Sequence, residues 1–295
     1  MLLKDEHGSG AEDEFLSHLP PNTPVFHYNP QCSLSSLLTP PTSPFDSFVV
    51  IKAFSPELLN QLDEKLPGRL DYSPSLKVLI LKMPSYPHEA AAGQFEAMLT
   101  ALALHMGVRR RISHVGSSSI NGEDRVKQAD RSWMPVQAQG LFPSVVLQVG
   151  YTETAVKLER DIAWWVQQSG GYMKMGITID IKHGSHNIEI KSWIPARPFI
   201  KHVYITASDR QVVNGETSLE PPLRTAQKIV IKKGENGREP TIEGGSLIIP
   251  FKSLLLCEPR EGEGDFVFTE DMLIHDIADF IWLAIEKEEA GKRAK

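Results

Sequence analysis

The stretch from Gln128 to Trp165 constrains this chain most. Val145-Val146-Leu147 is an apolar, mostly β-branched run that starts after Pro143 and stops at Gly150, the pattern of a buried strand. Thr152 or Thr154 then suits a helix N-cap, and Lys157, Asp161 and Trp164 recur at helical spacing. With a strand after Gln128-Ala129-Asp130, the order is strand, turn, strand, helix. Such a unit brings an acid (Asp130), an amide oxygen (Gln148) and an ammonium (Lys157) to one end of a sheet.

Those three groups suit phosphodiester chemistry. Hydrolysis of a phosphodiester needs a hard cation held by oxygen ligands, an activated water, and positive charge beside the developing negative charge. Asp130 offers a carboxylate, Gln148 a neutral oxygen, and Val149 its main-chain carbonyl; Mg²⁺ or Mn²⁺ is the cation such a set would hold. Lys157 would orient the water or stabilise the pentavalent state. The plainer alternative makes Asp130 a turn residue, Gln148 a polar strand residue, and Lys157 with Asp161 a surface helix pair.

Four stretches, taken in order, resemble the PD-(D/E)XK restriction-endonuclease-like superfamily, in the branch of small proteins whose lysine has moved onto the helix after the second core strand. They are Gly68-Arg69-Leu70-Asp71-Tyr72; Leu79-Ile80-Leu81-Lys82-Met83-Pro84-Ser85 leading to His88-Glu89; Gly116-Ser117-Ser118-Ser119 leading to Gln128-Ala129-Asp130; and Pro143 to Gly150 followed by Lys157. They cover roughly residues 60–195. The resemblance implies a central mixed twisted sheet flanked by helices, with added hairpins, and a metal-dependent nuclease-like activity. It adds Asp71, an acid on an early strand, to the metal ligands. Two departures from the family pattern each remove a negative charge: Gln128-Ala129-Asp130 stands where Glu-Pro-Asp is expected, and Gln148 where glutamate is expected. Fewer carboxylates weaken a dication site. The alternative function is therefore a non-catalytic module for protein or nucleic acid on the same scaffold.

The chain has 295 residues, 41% of them hydrophobic, enough for one large α/β domain, placed at residues 48–290 with a frayed tail at 291–295. A net charge of −6 argues against a general nucleic-acid binder. Local contacts to phosphate remain available from Arg109-Arg110-Arg111 and from the hydroxyls and N–H groups of Ser117 and Ser118. Nucleic acid, a protein partner held through residues 1–47, and a second copy of the chain in a homodimer are the partner classes that fit. Two cysteines, Cys32 and Cys257, indicate neither a disulfide framework nor a zinc site. Met1–Gly10 is polar, with no signal-peptide pattern, and no apolar run approaches about 18 residues; a soluble protein of cytoplasm or nucleus is expected.

Residues 1–47 are acidic and proline-rich, which predicts an unstructured arm, with Phe15, Leu16, Phe26 and Tyr28 as candidates to dock on the domain or on a partner. Leu70–Tyr72 and Val78–Lys82 predict an antiparallel hairpin, and His88–Met106 a helix with an apolar stripe. A second hairpin, Met173–Ile181 with Ile188–Trp193, carries Glu189 and Lys191 on one side of a strand, an alternative lysine site. Strands are expected at Val203–Thr206, Lys228–Lys232 and Leu247–Ile249, and a final helix at Glu270–Glu289.

Overall fold

The computed structural model describes residues 9–29, 46–62, 66–116, 118–138, 142–151, 153–196, 223–234 and 237–293. Its first elements, helix α1 (Ser9–Leu16) and strand β1 (Val25–His27), fall in the arm. For residues 9–29 this corrects the expectation of an unstructured arm. Phe15, Leu16 and Leu19 pack on Phe48, Val50, Val78 and Ile80, while Phe26 and Tyr28 join a second apolar cluster. Pro20, Pro21 and Pro24 fall between α1 and β1, where a missing donor costs nothing. Pro24 contributes its carbonyl, which accepts from Val50 N at 2.9 Å. Thr39-Pro40 and Ser43-Pro44 lie outside the described residues.

Next come β2 (Ser47–Lys52), α2 (Pro56–Leu62), β3 (Arg69–Ser73) and β4 (Val78–Met83). β1 runs parallel to β2, and β2, β4 and β3 are antiparallel neighbours, so the hairpin read from residues 70–82 is present. Strand alternation divides the side chains between two faces. Val49, Ile51, Leu70, Tyr72, Leu79 and Leu81 cluster with Leu58 and Leu59 of α2; Phe48, Val50, Val78 and Ile80 meet α1. The register sets Phe48, Lys82 and Arg69 in one row and Val50, Ile80 and Asp71 in the next, on that same second face. Gly68 holds the entry to β3 tight against β4: its φ is +82°, and a Cβ there would lie 2.1 Å from the Lys82 carbonyl oxygen.

Helix α3 (Tyr86–His105) is capped by Ser85, whose hydroxyl accepts from His88 N, with Pro87 in its first turn. After it come β5 (Ile112–His114), β6 (Ile120–Asn121), β7 (Val126–Lys127), β8 (Arg131–Pro135), β9 (Val145–Gly150), α4 (Ala155–Gln168), β10 (Met175–Ile181), β11 (Ile188–Pro195), β12 (Leu223–Lys232) and β13 (Thr241–Glu243). These build a seven-stranded sheet in the order β13-β12-β11-β10-β9-β8-β5, while β7 and β6 extend the first sheet beyond β3. β9 and β10 are parallel, joined through α4. Gly176 admits α4 to β10, since a Cβ would lie 2.4 Å from Ile162 Cγ2. The chain ends with β14 (Leu247–Ile249), α5 (Phe251–Leu255), β15 (Phe266–Phe268), a π-helical turn at Met272–Ala278, and α6 (Asp279–Arg293). The expected final helix thus begins with wider turns and runs on to Arg293.

One face of the large sheet packs on α3 and the C-terminal helix through Phe95, Leu99, Ile177, Ile179, Ile277 and Ile281. The other face packs on α4 through Val146, Ile162 and Trp165. The fold is therefore mixed α/β, a mixed sheet flanked by helices, with a smaller sheet set against one end of it. The strand expected at Val203–Thr206 lies outside the described residues. Among the described residues, no helix is long and apolar enough to cross a membrane.

Candidate functional site

Asp130 sits immediately before β8, where that strand runs beside β9. Its Oδ2 accepts from Val149 N at 2.8 Å and from Lys82 Nζ at 3.3 Å. With its amide oriented to satisfy both neighbours, Gln148 donates Nε2 to the same oxygen at 3.1 Å and accepts from Trp165 Nε1 at 3.1 Å. Asp130 Oδ1 faces His88 Nε2 at 3.0 Å and Arg69 Nε at 4.0 Å. Both are ion pairs, and Arg69 lies beyond hydrogen-bond distance. The side chain of Asp130 is 1% exposed.

Four partners in this cluster were missed in reading the sequence. Lys82 ends the apolar run of β4 and points into the gap between the two sheets. Its Nζ reaches the Val149 carbonyl at 2.7 Å and Glu153 Oε1 at 2.7 Å as well as Asp130. Glu153 comes from the turn before α4, and its side chain is fully buried. His88, in the first turn of α3, lies between two carboxylates, with Nδ1 2.9 Å from Asp46 Oδ2. Asp46 Oδ1 also accepts from Ser85 N at 2.8 Å and Ser85 Oγ at 2.9 Å, which ties the helix start to β2. A lysine at an inward position of an apolar strand is the one signal the sequence carried; nothing local marked Asp46 or Glu153.

The electrostatics follow from that geometry. Burial alone would push Asp130 up, but His88 and Lys82 hold its carboxyl far below the usual range. Burial likewise opposes the charge on Asp46, and His88 overcomes it, bringing Asp46 to about 2. His88 is raised to about 9 by Asp130 and Asp46 against the pull of burial. Lys82 is pushed above the ordinary lysine range by Asp130 and Glu153, again against burial. All these groups are therefore charged at neutral pH.

Lys157 belongs to a second cluster. Thr154 caps α4, and the Lys157 Nζ donates to Asp161 Oδ2 at 2.8 Å, one turn along the helix. Lys127 donates to Asp161 Oδ1 at 2.6 Å and to Asp71 Oδ2 at 2.8 Å. Burial would lower Lys157, but Asp161, Glu153 and Asp71 raise it. The structure thus brings Asp130, Gln148 and Val149 together directly. Asp71 and Lys157 meet them only across a cavity of about 20 Å³, lined also by Lys82, Lys127 and Asp161. That is room for about one water molecule.

The other candidate residues lie elsewhere. Ser117 is outside the described residues, and Ser118 Oγ donates to Val115 O at 2.7 Å. Arg109 donates to Ile112 O at 3.1 Å, Arg111 pairs with Glu263 at 2.6 Å, and Arg110 is exposed. Glu189 pairs with Lys191 at 2.6 Å and with Lys228 at 2.8 Å, the surface ion pair that an exposed strand face favours. Glu89 and Glu96, on α3, both bind Arg131.

A divalent cation does not fit this arrangement. The Val149 carbonyl and Asp130 are both held by the Lys82 ammonium, and Asp71 is paired with Lys127. Among the described residues, no group of three or more His, Cys, Asp or Glu side chains is placed to hold a metal.

No family model matches the sequence, and no curated protein matches it. Among solved structures, the chain is similar to the crystal structure of a "putative nuclease belonging to DUF820" from Anabaena variabilis. The identity is 14%, the match covers 46% of this chain and 78% of that one, and the TM-score is 0.34. A likeness that slight carries no argument for what this chain does.

Proposed function

We propose that this chain is a non-catalytic interaction module on a nuclease-like scaffold, in which the Lys82 ammonium is the permanent cation of the former metal position. One observation supports this reading above the rest: Lys82 Nζ lies 2.7 Å from Val149 O, 2.7 Å from Glu153 Oε1 and 3.3 Å from Asp130 Oδ2. A hard dication seeks carboxylate and carbonyl oxygens of that kind. A tethered ammonium neutralises the same oxygens but has no open coordination position for water or phosphate. The substitution also accounts for Gln148: with one positive charge in place of two, an amide suffices where the related pattern carries glutamate.

The second reading is a metal-dependent phosphodiester hydrolase. It is favoured by the cavity beside Lys82, around which Asp71, Asp130 and Asp161 stand. Calorimetry with Mn²⁺ and a nuclease assay on single- and double-stranded DNA and RNA, on wild type and Lys82→Gln, separate the two. We expect wild type to bind no Mn²⁺ at millimolar concentration and to cleave nothing, and Lys82→Gln to gain measurable affinity. Wild-type cleavage that requires Mg²⁺ and disappears in Asp130→Ala would overturn the proposal in favour of the hydrolase.

A further inference from the structure

We propose that the groove under α1 is a binding site for an acidic amphipathic helix supplied by a partner protein, and that the chain's own arm occupies it as a displaceable internal ligand. This rests on the interaction-module reading and names the class of partner. Phe48 and Val50 of β2 and Val78 and Ile80 of β4 form an apolar face on the first sheet. Strand alternation puts that face opposite the one packed on α2; Lys157 of α4 lies over Phe48 at one edge, and the apolar cover comes from the arm. Phe15, Leu16 and Leu19 cover it.

The rim of the groove is complementary in charge. Lys52 pairs with Glu12 of α1. The guanidinium of Arg125 lies over the Phe15 ring, 4.6 Å from its centroid. Arg160 of α4 lines the same groove with Glu14, while the acids there, Asp71, Asp124 and Asp161, are paired with Lys127, Arg125 and Lys157. The sequence Ala11-Glu12-Asp13-Glu14-Phe15-Leu16 is thus an acidic helix with an apolar edge, and the surface beneath it answers both properties.

The arm fits incompletely. A cavity of about 150 Å³ remains between it and the domain, lined by Phe15, His18 and Leu19 on one side and Arg125, Lys157, Arg160 and Trp164 on the other. His18 Nε2 is shielded from solvent there with no hydrogen-bond partner. The groove therefore offers more contact than the arm uses, and a helix that filled the space and paired Arg160 would compete for it. An internal ligand lowers the apparent affinity for the partner by the fraction of time the groove is open, so loosening the arm should raise that affinity.

The test uses the full-length chain and a fluorescein-labelled peptide of residues 9–29 as the probe, read by anisotropy. Two variants loosen the arm: Phe15→Ala/Leu16→Ala removes its apolar anchor, and Glu12→Lys/Glu14→Lys reverses its charge at solvent-accessible positions. Both should bind the peptide about tenfold more tightly than wild type, and adding Arg125→Glu/Arg160→Glu should abolish the gain. Equal, negligible peptide binding by wild type and by variants that keep the wild-type thermal transition would overturn the proposal. So would loss of folding in both variants, which would make the arm a fixed part of the core. A concentration-dependent dimer of the loosened variants, seen by light scattering, would make a second copy the occupant instead. No metal enters the measurement, so its failure is distinct from a failure of the module reading.

Discussion

Two ion-paired clusters stand on either side of one small cavity, and they are built differently. The inner one joins Asp46, Asp130 and Glu153 to His88 and Lys82, with Arg69 at its margin; its carboxylates are at most 1% exposed. The outer one joins Asp71 and Asp161 to Lys127 and Lys157, and three of its four side chains are 11–13% exposed. Both balance their charges. In the inner cluster, however, the partners come from β4, α3, the residues just before β2 and β8, and the turn before α4, so each charge pins a different part of the chain. In the outer cluster Asp161 has two lysines, one of them a helical neighbour. The sealed cluster is thus a structural lock, where a lost charge leaves an imbalance that water cannot screen, whereas the outer cluster has an edge open to water.

The largest effect should come from Asp130→Asn. The change keeps the shape of the side chain but leaves Lys82 and His88 facing an amide. Breaking a buried pair by removing one partner costs on the order of 3–5 kcal/mol, because an uncompensated charge stays behind. Urea unfolding at about pH 6 should show a loss of that order. The loss should shrink at alkaline pH, where His88, no longer raised by Asp130, can sit neutral. A loss below about 1 kcal/mol at acidic pH would mean that the inner cluster is no lock.

The pH dependence of the wild type is the next test. His88 is raised from 6.5 to about 9 in the folded chain. A raised value means that the folded state holds its proton more tightly. The associated stability is complete below about pH 6.5 and is lost as pH rises through about 9. The size is on the order of 3 kcal/mol. Urea midpoints between about pH 6 and pH 9.5 should fall monotonically, and His88→Gln should flatten that slope. A flat wild-type profile would remove His88 from the lock.

How much of this was legible in the sequence depends on the range of each interaction. The strand at Val145–Gly150, the Thr154 cap, the hairpin of β3 with β4 and that of β10 with β11 all rest on local spacing, and all are present. Asp130, Gln148 and Val149 were also found together, because one strand pair carries them. Lys82 and Asp46 reach Asp130 and His88 across 48 and 42 residues, and no period or motif reports such a contact. The arm shows the same limit. Its prolines were visible, but whether Phe15 and Leu16 find a surface depends on a sheet face assembled from residues 48–80.

The smallest predicted effect belongs to Lys157→Met. The Lys157 Nζ pairs with Asp161 and also lies 5.8 Å from the centre of the Phe48 ring. Methionine keeps most of the stem and its packing on the ring, so the change removes chiefly charge. Asp161 retains Lys127 at 2.6 Å, and Arg125 stands 3.8 Å from Asp71 on the same side. The remaining charge imbalance is one unit, at a site water reaches in part. Because Asp161 keeps Lys127 and water reaches the edge of the site, the loss should be roughly 1 kcal/mol, and salt should screen part of it. Urea unfolding at neutral pH should therefore show a loss of that size, smaller again in about 1 M salt. A loss as large as that of Asp130→Asn, insensitive to salt, would mean that the two clusters form one sealed network across the cavity. The distinction between lock and rim would then fall, and Lys157 would belong with Lys82 among the cations that hold the two sheets together.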